Sequence, residues 1–96
     1  MISLADVRGR RDGILRLAAK YGIRSVRLFG SVARGTANSK SDLDVLVDFE
    51  PERSLLDQAG FEEELEELLG CRVEVVAEGG ISPYLEERIL REAVPL

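Results

Sequence analysis

Residues 29–47 read FGSVARGTANSKSDLDVLV. A β-rich run, SVRLF at residues 25–29, stops at Gly30-Ser31, and small or polar residues follow. A second run, LDVLVDF at residues 43–49, is entered through Asp42 and carries Asp44. Side chains two apart on a strand point to one face. Asp42 and Asp44 therefore share a face, with Leu46 further along it, while Leu43, Val45 and Val47 fill the other. The first run is strand one, residues 31–41 form a short helical turn plus loop, and Glu50-Pro51 closes strand two.

Outward from this stretch the pattern is regular. Ser3-Leu4-Ala5-Asp6 resembles a capping box, and Leu4, Val7, Arg11, Ile14, Leu15 and Ala18 follow as a helical stripe. Gly9 and Gly13 weaken its first half, and Gly22 ends it. A long helix spans residues 54–69, its apolar face formed by Leu55, Leu56, Phe61, Leu65, Leu68 and Leu69. Its EEELEE run, residues 62–67, reads as a solvated surface. RVEVVA at residues 72–77 is strand three, and Ser82-Pro83 opens a last helix with Leu85, Ile89 and Ala93 four apart. The order predicts one α/β (α+β) domain over residues 1–96, a small mixed sheet of three or slightly more strands flanked by helices.

Composition narrows the chemistry. The chain has no histidine and a single cysteine, Cys71. Histidine bases, Ser-His-Asp triads and most zinc sites are excluded, and an internal disulfide is impossible. With no apolar run of roughly 20 residues and no signal-peptide core, no membrane partner is expected, and a reducing cytoplasm is the expected location. The net charge is −5, yet residues 1–40 carry nine Lys/Arg against two Asp/Glu. That split fits a protein with one basic and one acidic face, or a phosphate-facing half set against a metal-holding half. The acidic total argues against bulk nucleic acid, whose affinity rests on displaced counterions.

A D-x-D on a strand is, taken alone, the wet side of an amphipathic sheet. Two carboxylates held close repel unless a cation lies between them, and oxygen-only ligands favour a hard ion such as Mg²⁺ or Mn²⁺. Asp48 lies about 13 Å along the strand from Asp44 and is too far to join them. Glu74, centred in strand three, stands beside the pair if the strands are neighbours; otherwise it is a surface glutamate paired with Arg72. Gly30-Ser31 is a plain turn or a phosphate perch, since glycine admits a phosphate to the backbone and a hydroxyl donates to it. Gly30 to Gly35 has the G-x4-G spacing of a P-loop, but Thr36 stands where that motif needs lysine.

Gly30-Ser31, ten residues, then Asp42-Leu43-Asp44 is similar to the signature of the nucleotidyltransferase superfamily that includes DNA polymerase beta. The whole run resembles the minimal nucleotidyltransferase (MNT) pattern G-S-x-A-R-G-x5-S-D-x-D-x2-V at every fixed position. The similarity continues through Glu74 and the helix SPYLEERIL at residues 82–90. The resemblance implies a polymerase-beta-like fold and a nucleotidyl transfer. Asp42 and Asp44 would hold two Mg²⁺ ions, Mn²⁺ being an alternative, and Glu74 would hold one of them and accept the attacking hydroxyl's proton. Gly30 and Ser31 would seat the triphosphate of ATP, with Arg34 and Lys40 steadying phosphates or remaining solvated loop charges. Many relatives carry aspartate at the third acid, so Glu74 is a methylene longer.

MNT proteins act as antitoxins beside a helical HEPN ribonuclease toxin, some by adenylylating it. The resemblance thus implies an enzyme transferring AMP from ATP to a hydroxyl of a HEPN-type partner. The alternative is an antitoxin that keeps a nucleotide site but neutralises by binding. The last helix and the Val94-Pro95-Leu96 tail offer a partner surface, or pack on the sheet.

Overall fold

The structure, a computed structural model, describes residues 2–96. In chain order the elements are α1 (Leu4–Arg8), α2 (Arg11–Lys20), β1 (Ile23–Phe29), α3 (Gly30–Arg34), β2 (Leu43–Phe49), α4 (Leu55–Leu69), β3 (Val73–Ala77), α5 (Pro83–Glu92) and β4 (Val94–Pro95). The strands form one mixed sheet in the order β3-β2-β1-β4. β1 runs antiparallel to β2 and β4, whereas β2 and β3 are parallel, joined by α4 as the crossover.

One face of the sheet makes the core. Val26 and Leu28 of β1, Leu43, Val45 and Val47 of β2, and Val73 and Val75 of β3 pack with Val7, Ile14, Ala18, Phe61 and Leu65 from α1, α2 and α4. The N-terminal stripe is there, but as two helices. Ser3 and Asp6 close a capping box on α1, and the Arg10 amide turns back to the Val7 carbonyl at 3.0 Å, ending it. Gly9, a poor helix former, sits at that break.

Leu55 and Leu56 do not belong to the apolar face of α4; they are 81% and 83% exposed. The stripe that meets the sheet is Phe61, Leu65, Leu68 and Leu69. Continued backward by three and four residues it reaches Gln58 and Asp57, so the two leucines fall outside it. Ala93 likewise lies beyond α5, whose buried residue is Ile89.

The acidic run of α4 does more than face water. The Val73 amide on the outer edge of β3 donates to Glu66 Oε2 at 3.0 Å, and Gln58 Nε2 donates to the Val75 carbonyl at 3.0 Å. Glu64 accepts from Lys20 Nζ at 2.9 Å and from the Tyr21 hydroxyl. Side chains thus occupy backbone groups that an open edge would offer to another strand. Glu66→Ala leaves the half-buried Val73 amide without its partner and lowers stability by about 1 kcal/mol; an unchanged urea midpoint counts against this edge role.

The C-terminal tail joins the sheet. Val94 and Pro95 pair with Leu28 and Arg27, and Arg8 Nη2 donates to the Pro95 carbonyl at 2.9 Å. The second face is not simply wet: Leu46 has 0% exposure, and α5 borders a groove there with Phe29 and Val76. Among the described residues no helix is long and apolar enough to cross a membrane.

Candidate active site

Register builds the site. Asp44 pairs across the antiparallel ladder with Phe29 and across the parallel ladder with Glu74. Directly opposed residues in neighbouring strands present their side chains on the same face. Phe29 is the last residue of β1, and Gly30 opens α3 immediately after it. Gly30, Asp44 and Glu74 therefore stand in a row across three strands, at one end of the sheet.

The first two members touch. Gly30 has φ +74°, and a Cβ placed on it would lie 2.1 Å from Asp44 Oδ2. Only a bare Cα lets the turn close over the carboxylate. Asp44 is crowded on its other side as well: burial, then the Glu74 carboxylate, then Asp42 raise its pKa to about 6, with the Arg34 charge opposing them. Each of these neighbours disfavours the ionised form for the reason named, desolvation first and like charge second.

Asp42 sits one residue before β2, where the Leu43 amide bonds to the Arg72 carbonyl at 2.9 Å. Its Oδ1 is buried and has no hydrogen-bond partner, though Arg72 Nε lies 3.3 Å away. The contact is an ion pair without hydrogen-bond geometry. Arg72 thus partners Asp42, not Glu74. Among the described residues no three acids stand close enough to form a ready metal-ligand cluster. Asp44 and Glu74 are together; Asp42 turns toward Arg72.

The donor set nevertheless suits a hard divalent ion. It holds only carboxylate oxygens, one of them buried without a hydrogen bond, and one carboxylate whose ionised form its neighbours disfavour. An Mg²⁺ or Mn²⁺ ion relieves both conditions.

Two depressions flank the row. One, of about 370 Å³, is lined by Gly30, Arg34 and Glu74 and walled by α5. The other, of about 540 Å³, is lined by Asp42, Lys40, Arg72 and Arg10. Ser31 is half-buried at the start of α3 and its carbonyl accepts from the Thr36 amide at 2.9 Å. Arg34 closes α3, and its Nη1 lies 3.3 Å from Glu92 Oε2. Arg88 and Glu92, which also face the first depression, escaped the sequence reading. Their signal was present as a charged i, i+4 pair inside the apolar stripe of the last helix.

A family model for the nucleotidyltransferase domain matches residues 11–96. The chain is 44% identical over 78 residues to a Thermococcus cleftensis protein adenylyltransferase, covering 81% of this chain and 79% of that one. A solved structure assigned to the minimal nucleotidyltransferases superposes with a TM-score of 0.89 at 53% identity, covering 99% of this chain and 97% of that one. The chain belongs to the minimal nucleotidyltransferases. As a member of that family it is a nucleotidyltransferase, and the motif at residues 30–47 supplies Gly30 and Asp44 of the row described above, Glu74 coming from β3. The same fold recurs at 18% identity and a TM-score of 0.69 in a Shewanella oneidensis MNT antitoxin bound to a tri-AMPylated HEPN toxin, covering 92% of this chain and 69% of that one.

Proposed function

We propose that this nucleotidyltransferase moves AMP from ATP to a hydroxyl of a HEPN-type toxin and so acts as its antitoxin. The observation that carries the reading is the register that puts Gly30, Asp44 and Glu74 in one row beside Asp42. Asp42, once turned from Arg72, and Asp44 would hold two Mg²⁺ ions, Mn²⁺ being an alternative, with Glu74 as the third ligand. Bound there, the ions would supply charge neutralisation at the attacking and leaving oxygens of the transfer. The Gly30-Ser31 turn seats the triphosphate, its bare Cα admitting phosphate oxygens and the Ser31 hydroxyl donating to them. Arg34, one helical turn on, balances their charge. Glu74 accepts the proton of the acceptor hydroxyl, whose oxygen bonds the α-phosphorus as the bond to pyrophosphate breaks. The adenylyltransferase name of the Thermococcus relative and the tri-AMPylated toxin of the Shewanella complex support AMP as the transferred group.

The test is incubation of the chain with a HEPN-type toxin, ATP labelled at the α-phosphate, and Mg²⁺. Label on the toxin is the expected result. Neutralisation of the toxin without any label favours the alternative, an antitoxin that binds without chemistry. The ion site is checked separately: saturating Mn²⁺ raises the melting temperature of the chain alone by at least about 5 °C. A flat titration removes the metal part of the reading.

A further inference from the structure

One side of α5 carries the stripe Leu85, Arg88, Ile89 and Glu92, which lines the groove beside the sheet, with Ile89 its buried member. A helix needing only to cover a sheet keeps that stripe apolar. Here two of its four positions are charged, and both border the groove that opens onto Gly30 and Glu74. Glu92 is the shared partner of two guanidinium groups: Arg34 Nη1 lies 3.3 Å from its Oε2, and Arg88 Nε lies 3.8 Å from its Oε1. The two arginine side chains are 52% and 74% exposed, the glutamate 33%. Glu74 lines the same groove and balances the charge in sum, but one carboxylate shared by two guanidinium groups leaves each with unused donors, and exposed ion pairs of this length hold weakly.

We propose that Arg88 joins Arg34 in binding the β- and γ-phosphates of the nucleoside triphosphate, and that Glu92 holds both guanidinium groups in place until the polyphosphate replaces it. The proposal rests on the reading of Gly30-Ser31 as the phosphate seat and adds a helix that the motif does not contain. Phosphate oxygens offer each guanidinium a bidentate, charge-assisted partner, stronger than a glancing contact with a shared carboxylate. The exchange of Glu92 for phosphate is therefore favourable. Arg88 acts on the part of the ligand that AMP lacks, which gives it a signature that a packing residue does not have.

The experiment is calorimetric titration of the full chain, in Mg²⁺, with an ATP analogue uncleavable at the α–β bridge and with AMP. Arg88→Ala raises the Kd of the triphosphate analogue about tenfold and that of AMP less than about twofold, and Arg88→Lys recovers part of the loss. Glu92→Gln removes the competing anion and lowers the triphosphate Kd about threefold. Circular dichroism melts of each variant separate these changes from unfolding. If the wild-type chain binds the analogue and Arg88→Ala binds it within twofold, or loses AMP equally, the role of Arg88 is overturned while the phosphate seat stands. Weaker binding by Glu92→Gln overturns the placeholder. A wild-type chain that binds neither nucleotide overturns the phosphate seat and this inference with it.

Discussion

Asp44→Asn removes at least about 10³-fold of the AMP transfer while leaving a folded and, without metal, more stable protein. The two effects share one cause. Asp44 is held where burial and the Glu74 and Asp42 carboxylates resist its ionisation, so its pKa is raised to about 6 from 3.8. A carboxyl group raised on folding contributes stability below the unfolded value and loses it as pH climbs through the folded one. The Asp44 contribution to the stability of metal-free wild type is therefore greatest in acid and is lost between about pH 4 and pH 6.5. Asparagine keeps the shape and carries no charge to desolvate. At pH 7.5 the variant melts higher by about 5 °C, taking about 1 kcal/mol after solvent screening of the partly exposed group. The gap closes toward pH 4.

Saturating Mn²⁺ reverses the order, because the ion stabilises the wild-type carboxylates and gains little from an amide. The crossing of the two melting curves with metal is the diagnostic. A variant that transfers AMP at a rate within tenfold of wild type shows that Asp44 is a surface aspartate of an ordinary sheet. A variant less stable than wild type at pH 7.5 without metal shows that the carboxylate is held by favourable contacts, and that the like-charge account of the site is wrong.

Most of this arrangement was legible because it is local. β2 begins and ends at Leu43 and Phe49, as alternation and the Glu50-Pro51 stop require, and Ser54 and Ser82 cap their helices where the spacing places them. The pairing of Asp44 with Glu74 needed one further premise, that β2 and β3 are neighbours, which a single α4 crossover makes natural. What escaped depends on partners far along the chain. Glu66 reads as solvated helix surface and Gln58 carries no signal of its own, yet both satisfy the edge of β3. The tail is too short for any strand pattern, and pairs with β1 only because that edge is open to it. Arg72 lies two residues before Glu74 but pairs with Asp42, which stands beside it across the ladder, one step before the Leu43–Val73 pair. The link between Arg34 and Glu92 joins residues 58 positions apart, beyond the reach of any periodicity.

Gly30→Ala lowers the AMP-transfer rate about 10²-fold at a stability loss of only about 1–2 kcal/mol, and Gly35→Ala is the control that isolates the reason. Both glycines have left-handed φ, +74° and +78°, so both alanines bear the same backbone strain. They differ in what the new methyl group meets. At Gly35 nothing lies within 4 Å, whereas at Gly30 Asp44 Oδ2 is 2.1 Å and Asp44 Cγ is 2.9 Å from the added Cβ. The carboxylate has to swing aside or the turn has to lift, by roughly 1 Å in either case, and a displacement of that size at reacting groups is worth about two orders of magnitude in rate. Gly35→Ala therefore loses about 1 kcal/mol and keeps its activity within severalfold. Mn²⁺ affinity follows the same division, weakened by Gly30→Ala and untouched by Gly35→Ala, because the ion reads the position of the Asp44 oxygen directly. Equal activity in the two variants would mean that the close approach of turn and carboxylate is incidental. The spacing of the motif would then serve the turn alone, with no part in holding Asp44 where the transfer takes place.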